Sequence, residues 1–537
     1  MLGSEQVGPR SGRHRQLAAW LLAAWCGLGP GTPAFPAPTL TDRLHTLWIG
    51  KDADPRTLDP AITVDNNAWT ITYPCYQRLV RYRTVRGRAT TGVEGDLAER
   101  WSVSRDNLVW EFKLRAGQRF DDGAPVDAAA VKFSFDRLRK LGQGPSQLFP
   151  ADLQVTVADP ETVRFTLAAP CPYFLGALAY DGASIVDPAV LDRPGAGPDA
   201  RSYLATHTAG SGPFRLVSWE KRQALVLEPN PHYGGRVRPV LRRVVVKIIS
   251  DPVGKRLLLE TGDLDIAEDL PAEELATLER RPGLTVTRDL SMAQTYLYLN
   301  NRRPPLDQLA LRQAISWAVD YADILKNIMN GQAVQMRGVI PQGMWGHDPK
   351  VMQYTTDLDR ARAILTRARI GRIDLRFLYS DRAPAWGAIA RSVQASLASL
   401  GIRVELQRLS NAFLREQVAK GDFDLAIGSW SPDLADPYAF MNVWFDSARH
   451  GLPGNRSFYS NPRVDQLIRT AATLAEPAAR MAKYQEAQRI VVEEAAYVYL
   501  YQSTFRIALS KGVKGYIFNP MLEYIYNLEG MHKEAAH

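Results

Sequence analysis

The chain has 537 residues, 46% hydrophobic and 23% charged, which is enough for about two to four domains and typical of folded globular proteins. These proportions exclude collagen, coiled coil and general disorder as descriptions of the whole chain. The 65 basic and 57 acidic residues leave a net charge of +8, and no basic stripe with interleaved aromatics indicates a nucleic-acid-binding protein.

The first 39 residues differ from the rest and predict a signal peptide with a flexible leader. Three arginines precede an apolar run over residues 17–28, and a stretch rich in Pro, Gly and Ala follows. Secretory signals have this order, whereas a membrane span needs about 20 apolar residues. A disordered N-terminal tail is the alternative. Because Cys26 follows Trp25 rather than a small residue, we expect export without a lipid anchor.

Beyond the leader the chain has two cysteines, Cys75 and Cys171. An oxidising compartment would permit a disulfide between them, and two buried free thiols are the alternative. Two cysteines do not make a disulfide scaffold, so the fold has to depend on a packed core in either case.

The region after the leader is predicted to contain strands and turns. Apolar and polar side chains alternate over residues 108–114, which predicts a strand with one buried face. The turn at residues 121–123 leads into a predicted helix with Asp127 as its N-cap. A hairpin is predicted from strands 153–157 and 162–167. This part of the chain is typical of an antiparallel α+β structure.

From residue 294 the pattern changes to strands that alternate with helices. A strand is predicted at 294–301, and a long amphipathic helix is predicted from Asp307 to about Gly331. Strands separated by helices imply parallel βαβ units. Such strands are predicted at residues 373–379, 402–406 and 423–427.

Known catalytic signatures are missing from the sequence. It has no phosphate-binding loop, no dinucleotide-binding glycine motif, no nucleophile elbow and no His or Cys pair at metal-ligand spacing. We therefore expect no cofactor and no metal. Residues far apart in sequence can still meet in space, so a secreted hydrolase that uses Asp433 and Asp436 as paired carboxylates stays an alternative.

One segment suggests a binding site. A strand that reads as buried leaves the sheet through Gly428 and continues into Ser429, Trp430 and two acids, Asp433 and Asp436. Ligands of α/β sheets bind beyond the carboxyl ends of the strands. There, Trp430 would offer a flat apolar wall and Asp433 a partner for a ligand ammonium. The alternative places Trp430 in the core and makes Asp433 a turn former or helix cap.

A series of segments spread over nearly the whole mature length carries a family resemblance. The segments are Thr57–Pro60, Gly95–Ser104, Trp110–Gly123, Gly210–Phe214, Glu228–Gly235, Asn300–Pro305, Leu311–Ala314, Trp430–Pro437 and Tyr459–Asp465. In these segments the chain resembles the periplasmic peptide-binding proteins of ABC importers, the extracellular solute-binding proteins of family 5. Several ordered matches are far more specific than any single motif.

The resemblance implies an α/β protein with the two-lobed periplasmic-binding-protein fold (type II, the large three-domain variety) and a hinged interlobe cleft. Domain I would combine residues 40–81, 188–293 and 509–537, and domain II would be the inserted α+β part, 82–187. Domain III, residues 294–508, would form the second lobe with the βαβ series. Two chain crossings between the lobes would act as a hinge that closes over ligand.

The resemblance also implies a function. A periplasmic monomer would capture peptides or peptide-like amines and deliver them unaltered to a permease and ATPase complex at the inner membrane, without nucleic acid or cofactor. Members of the family also bind opines, sugars and metal chelates, so a non-peptide solute stays an alternative. A sensory receptor with the same fold is a further alternative.

Individual site residues follow from the resemblance on the second-lobe side. In peptide-binding relatives the first acid of the Trp-x-x-Asp motif holds the α-ammonium of the ligand, which implies that role for Asp433. Trp430 and its neighbour Ser429 would line the cleft, and Tyr296 matches an aromatic cleft position. Ile427 departs from the pattern, because some oligopeptide binders have a basic residue there. Recognition of the ligand carboxylate by that route is therefore in doubt.

On the first-lobe side, the resemblance concerns the strand before the Leu-Asp-Pro segment. In peptide-binding relatives this strand pairs with the extended backbone of the ligand, which is recognition by strand addition. The matching positions in this chain include Asp54 and Arg56. We therefore expect these two residues to lie beside the ligand.

Overall fold

The computed structural model describes residues 40–534 except residues 86 and 453. The description below concerns the compact unit that begins at Leu44. The predicted signal peptide and leader, residues 1–39, lie outside the described residues.

The strands of the described chain, in order, are β1 (Thr46–Lys51), β2 (Val80–Val85), β3 (Arg88–Gly95), β4 (Ala98–Val103), β5 (Val109–Leu114), β6 (Gln154–Asp159), β7 (Thr162–Thr166), β8 (Phe214–Glu220), β9 (Ala224–Pro229), β10 (Arg243–Ile248), β11 (Ile266–Ala267), β12 (Leu284–Val286), β13 (Asp289–Leu299), β14 (Ala333–Gln335), β15 (Ile373–Ser380), β16 (Ile402–Leu409), β17 (Leu425–Trp430), β18 (Tyr497–Phe505), β19 (Ala508–Ser510), β20 (Val513–Lys514) and β21 (His532–Lys533).

The α-helices are α1 (Leu40–His45), α2 (Asn66–Cys75), α3 (Ala128–Leu141), α4 (Phe174–Leu178), α5 (Arg201–Leu204), α6 (Pro252–Thr261), α7 (Ala272–Leu278), α8 (Leu309–Ala318), α9 (Tyr321–Asp323), α10 (Leu358–Ala368), α11 (Pro384–Ala398), α12 (Asn411–Lys420), α13 (Tyr438–Phe445), α14 (Pro462–Ala471) and α15 (Pro477–Glu493). Among the described residues, none of the helices combines the length and the hydropathy that crossing a bilayer requires.

The largest sheet has seven strands in the order β12-β19-β11-β1-β10-β9-β8. β1 lies between β11 and β10 and runs parallel to both. The strands of this sheet come from the start of the described chain, from the region 214–286 and from residues 508–510. Cys75 and Cys171 are both buried and free, so of the two alternatives the structure has the free thiols.

A four-stranded antiparallel sheet, in the order β4-β5-β7-β6, forms a smaller core. Trp110, Phe112 and Leu114 of β5 are buried, as their alternation with polar residues predicts. Strands β6 and β7 form the predicted hairpin. Helix α3 begins where expected, because an Asp127 carboxylate oxygen accepts a hydrogen bond of 2.9 Å from the backbone N–H of Ala130.

The third sheet has six strands in the order β14-β18-β13-β17-β15-β16. β15 runs parallel to both β16 and β17, as the alternation of strands and helices predicts. β13 runs antiparallel to both of its neighbours, β17 and β18. The sheet is therefore mixed, a feature that the alternation alone does not reveal.

The long helix predicted to end near Gly331 is wrong, because the chain breaks it after α8. α8 ends at Ala318, and the backbone of Val319 is extended. The Asp320 carboxylate then accepts a hydrogen bond of 3.0 Å from the Asp323 backbone N–H, which begins the short helix α9. Apolar residues recur at helical spacing on both sides of the break, so the pattern does not show it.

The described chain crosses between the seven-stranded and six-stranded sheets at two places, before β13 and after β18. The two crossings are joined, since the Thr287 backbone N–H donates to the Ile507 carbonyl at 2.9 Å. Glu279, directly after α7, accepts a hydrogen bond of 2.8 Å from Arg288 of one crossing. It also forms an ion pair with Arg506 of the other, so one carboxylate contacts both crossings.

A buried ion pair connects the loop after β1 to helix α3. The Asp59 carboxylate accepts two hydrogen bonds from the Arg137 guanidinium and a third, of 3.0 Å, from the Ala61 backbone N–H. Arg137 also donates to the Asp199 carbonyl at 2.7 Å. Asp59 is the acid of the Leu-Asp-Pro segment, and these contacts give it a structural role.

We predict that Asp59→Asn lowers the free energy of unfolding by about 3–5 kcal/mol, because it leaves the Arg137 guanidinium buried without a counter-ion. The control is Asp359→Asn, since the Asp359 side chain is 96% exposed and pairs with Arg362 at the surface. Its loss should cost less than about 1 kcal/mol. Urea denaturation followed by circular dichroism measures both values. Equal losses in the two variants would contradict the structural role of Asp59.

Candidate functional site

Strand β17 ends at Trp430, so the Trp430 segment leaves the six-stranded sheet at the carboxyl end of this strand. It pairs with β13 so that Gly428 faces Tyr296, and this pairing ends at Trp430. A Cβ atom at position 428 would overlap the ring of Tyr298, so only glycine lets this ring lie across the strand. Ser429, one residue before the end, is half-buried.

Trp430 lies at the accessible side of an aromatic cluster. Its ring centroid is 4.9 Å from that of Trp444 of α13, with the planes at 73°. Tyr296 is only 3% exposed and stacks on Tyr497 at 5.0 Å. Trp430 is half-buried and keeps an accessible part, whereas Tyr296 lies inside the cluster.

Asp433 is accessible to solvent and at the same time surrounded by protein. It lies in the turn between β17 and α13 and is exposed, yet desolvation raises the pKa of its carboxyl group. Tyr82 of β2 and Tyr180 after α4 are near enough that the charge of Asp433, added to their burial, raises their pKa. Asp433 therefore has protein packed beside it while part of its side chain stays accessible to solvent.

Tyrosines near β2 and α4, on the side opposite Asp433, come close to the segment around Asp433 at further points. The backbone N–H of Ala435 is near enough to the Tyr82 hydroxyl to lower its pKa, which opposes the effect of burial. The rings of Tyr173 and Tyr438 lie 4.5 Å apart between centroids. The cleft at Asp433 is therefore bounded by the Trp430–Pro437 segment on one side and by tyrosines near β2 and α4 on the other.

The two acids of the segment have opposite surroundings. Asp436 is buried and accepts hydrogen bonds of 2.9 and 3.1 Å from the Arg480 guanidinium. Burial raises the pKa of Asp436, and Arg480 opposes that rise. Asp433 has no salt bridge to any described residue. Because Asp436 is bound by Arg480, it is not free to work with Asp433 as a general acid and base pair.

Asp54 and Arg56 lie elsewhere, on a cavity of about 710 Å³ beyond the end of β1. They belong to a loop rather than to the strand. Both carboxylate oxygens of Asp54 are engaged, one by the Trp219 indole N–H at 2.8 Å and the other by the Arg222 backbone N–H at 2.6 Å. Arg56 has an exposed side chain. The structure thus places Ser429, Trp430 and Asp433 at the end of β17 and in the turn after it, and Asp54 and Arg56 on this cavity. The ligand-binding roles of all five residues stay predictions.

The cavity beside Asp54 is acidic. Four carboxylates line it and Arg56 is the basic side chain among its lining residues; the acids are Asp52, Asp54, Asp65 and Asp269. Lys51 and Glu268, which directly precede the lining residues Asp52 and Asp269 in sequence, form a buried ion pair. Within the described residues no group of three or more His, Cys, Asp or Glu side chains is placed to hold a metal ion.

Sequence reasoning missed several residues around the Trp430 segment. Tyr82 and Tyr180 belong to a distant part of the chain, and nothing in their local sequence connects them to Asp433. Tyr497 and Tyr499 were detectable, since residues 497–501 alternate Tyr with Val and Leu, a pattern that predicts a strand with one aromatic face.

The chain is similar to curated and solved proteins over almost its whole length. A probable D,D-dipeptide-binding periplasmic protein, DdpA of Escherichia coli strain K12, is 52% identical over 499 residues, which are 93% of this chain and 96% of that protein. Among solved structures, the ABC transporter-associated periplasmic binding protein DppA of Helicobacter pylori in complex with the peptide STSA has a TM-score of 0.71 and 26% identity, covering 91% of this chain and 98% of that one.

A second solved structure shows the same fold. HbpA2 of Haemophilus parasuis has a TM-score of 0.84 and 24% identity, and the match covers 91% of this chain and 100% of that one. The α/β, two-lobed binding-protein fold that the sequence resemblance implies is therefore confirmed. Residues 92–451 match the family described as bacterial extracellular solute-binding proteins, family 5 Middle. The chain belongs to the bacterial extracellular solute-binding proteins of family 5.

Proposed function

We propose that this protein is the periplasmic solute-binding component of an ABC importer and captures short peptides with a free α-ammonium, D,D-dipeptides among them. It delivers them chemically unaltered to a permease and ATPase complex and acts as a monomer after removal of its signal peptide. The 52% identity to the probable D,D-dipeptide-binding protein of E. coli supports the ligand class. The peptide bound to the H. pylori relative supports a peptide in this fold.

The observation that carries the proposal is the unpaired carboxylate of Asp433 in the cleft. A partly desolvated negative charge with no salt bridge to any described residue favours a cation from outside. A peptide ammonium supplies one positive charge and three N–H donors. A hydrogen bond to a charged group contributes about 1.5–3 kcal/mol. The accessible part of Trp430 offers an apolar surface beside this charge.

Capture follows from contacts with both walls of the cleft. A ligand held between the Trp430 segment and the tyrosines opposite makes its full set of contacts only when the walls are close together. If closure alone costs about 2 kcal/mol, several kcal/mol of such contacts make the closed form dominate. Rotation would occur at the two paired crossings near Thr287 and Ile507. The permease would then recognise the closed form, and no covalent step is required.

We predict that D-alanyl-D-alanine binds to the wild-type protein and that Asp433→Asn weakens this binding by about 2–5 kcal/mol. N-acetyl-D-alanyl-D-alanine, which has no ammonium, should bind weakly and equally to both proteins. Titration calorimetry measures the affinities, with Asp359→Asn as the surface control. A change below about 0.5 kcal/mol at Asp433 would place this residue outside the site. Mass spectra should show the dipeptide intact after incubation; cleavage would contradict transport.

The affinity for the dipeptide should fall as the pH is lowered, because a proton competes with the ligand ammonium for the Asp433 carboxylate. Desolvation raises the pKa of Asp433 above its ordinary value of 3.8, so the fall should begin at a higher pH than an exposed aspartate would give. Titration calorimetry at about five pH values between pH 4 and pH 8 measures this dependence of the affinity on pH. An identical pH profile in Asp433→Asn would contradict it.

The two acids should also differ in their effect on stability. Folding raises the pKa of Asp433, so its ionised form opposes folding. This penalty is full above the raised pKa, declines as the pH falls below it, and is gone below the ordinary pKa. Asp433→Asn should therefore not lower the melting temperature of the ligand-free protein at pH 7. Asp436→Asn leaves Arg480 buried without its partner and should cost about 3–5 kcal/mol. Calorimetric melting of both variants decides the point, and the reverse order would refute the assigned roles.

A further inference from the structure

Asp181 is a buried carboxyl group that the proposed binding site does not use. It lies in the short turn after α4, and the residue is 1% exposed. Its Oδ2 atom lies 3.0 Å from the hydroxyl oxygen of Thr72 in α2. Its Oδ1 atom has no hydrogen-bond partner among the described residues. An ionised carboxylate with so few partners is costly to bury.

Asp181 lacks the arginine that other buried carboxylates of this chain have. Asp59 and Asp436 each accept hydrogen bonds from two nitrogens of one guanidinium. Within the described chain, no Lys, Arg or His lies at salt-bridge distance from Asp181. The charge of Arg78 acts on it from further away, because the Arg78 guanidinium covers the ring of Tyr73 and donates to the carbonyl of that residue at 3.4 Å.

The hydrogen-bonded contacts beside Asp181 need one proton more than the Thr72 hydroxyl supplies. The Thr72 Oγ1 atom lies 3.2 Å from the Ala68 carbonyl oxygen, one helical turn earlier, as well as 3.0 Å from Asp181 Oδ2. When Asp181 is ionised, both of these oxygens are acceptors, and a hydroxyl group has a single proton to donate.

A neutral Asp181 satisfies both contacts at once. Its O–H then donates to Thr72, and the Thr72 hydroxyl donates to the Ala68 carbonyl, as threonines inside helices commonly do. The remaining Oδ1 atom belongs to an uncharged group, and burying an unpaired neutral polar atom costs much less than burying a charge. The geometry therefore favours the protonated form of this side chain.

We propose that Asp181 is a proton-binding site of the folded protein, occupied at mildly acidic pH and empty at alkaline pH, and that loss of this proton destabilises the fold. Burial raises the pKa of Asp181 from its ordinary value of 3.8 to about 7, and the charge of Arg78 and the contact with Thr72 limit this rise. Tyr180, next to Asp181, contacts the ring of Trp69 in α2, so the same turn is packed on that helix at two points.

The other titratable groups that face Asp181 do not change their charge in the same pH range. They are Tyr73 and Cys75 of α2 and the neighbouring Tyr180, and burial raises the pKa of each above its ordinary value. Helices α3 and α4 and the turn Gly144–Leu148 also contact this turn, and none of them places a charge that shifts the pKa of Asp181.

Loss of the Asp181 proton destabilises the folded protein within a defined pH interval. Between the ordinary pKa and the raised value of about 7, the folded protein holds a proton that the unfolded chain has released. Stability therefore falls as the pH rises through this interval and becomes level above it. One such proton changes the folding equilibrium constant by about tenfold for each pH unit.

Urea denaturation of the wild-type protein and of Asp181→Asn, at about pH 5 and about pH 8, tests the proposal. Asparagine has the size of the neutral acid, can donate to Thr72 and does not titrate. Relative to the variant, the folding equilibrium constant of the wild-type protein should fall about 10- to 100-fold between the two pH values. Asp359→Asn, the surface control, should show no such change.

Two results of the denaturation experiment would overturn the proposal. One is a ratio between the wild-type protein and Asp181→Asn that is the same at both pH values. The other is failure of Asp181→Asn to fold at about pH 5, because asparagine reproduces the hydrogen bonds of the neutral acid.

Infrared difference spectra between the wild-type protein and Asp181→Asn give a second measurement. The wild-type protein should have the carbonyl band of a protonated carboxyl group at about pH 5, and this band should be lost above about pH 8. Its absence at the lower pH would contradict the proposal. Neither measurement involves a ligand, so the outcome is independent of the proposed function.

Discussion

Two buried carboxylates of this protein are paired with arginines of the same chain, whereas the carboxylate proposed to bind the ligand has no such partner among the described residues. Asp59 has Arg137, and Asp436 has Arg480, each through two nitrogens at close range. Leaving such a charge alone in a low-dielectric environment costs several kcal/mol, which is why single partners are rarely absent. The unpaired carboxylate of Asp433 is an exception that the fold tolerates because solvent reaches it. A bound cation would restore the balance found elsewhere in the molecule.

Strand β13 connects the binding edge to the interlobe crossings. Its first residue, Asp289, pairs with Phe505 directly beside the crossings, and its middle part pairs with Gly428 and Trp430. One strand thus reaches from the crossings to the Trp430 segment, although its pairing with β18 has register shifts between Leu290 and Gln294 and between Thr295 and Tyr296. This strand lies at the centre of its sheet, between β18 and β17, so its position is fixed from both sides.

The local pattern of the sequence predicts much of the fold and less of the site. Alternation over residues 108–114 and the cap at Asp127 depend on near neighbours, and both predictions are confirmed. The sequence pattern does not predict the helix break at Val319, because the apolar spacing continues across it. Tyr296 is expected to line the cleft, and this role stays a prediction; its burial could not be foreseen, because it depends on Trp444 and other rings that meet it only after folding.

The hydrogen-bond partners of Asp54 could not be predicted from the local sequence either. The partners of Asp54, Trp219 and Arg222, are 165 and 168 residues away in sequence, so no local pattern reveals that its oxygens are engaged. The family resemblance supplied what spacing did not, namely the two-lobed fold and the expectation that Asp433 binds the ligand ammonium. The domain boundaries and the roles of individual site residues stay predictions.

The carboxylate of Glu279 makes the joint between the lobes sensitive to its ionic surroundings. It holds Arg288 of one linker and Arg506 of the other, so a bend that separates the linkers has to stretch one of these pairs. Arg288 is largely exposed, and dissolved ions weaken attraction at such a surface within about 8 Å at physiological ionic strength. Dissolved salt should therefore weaken the ion pair between Glu279 and Arg288. The two lobes should then rotate more easily about the crossings at high salt than at low salt.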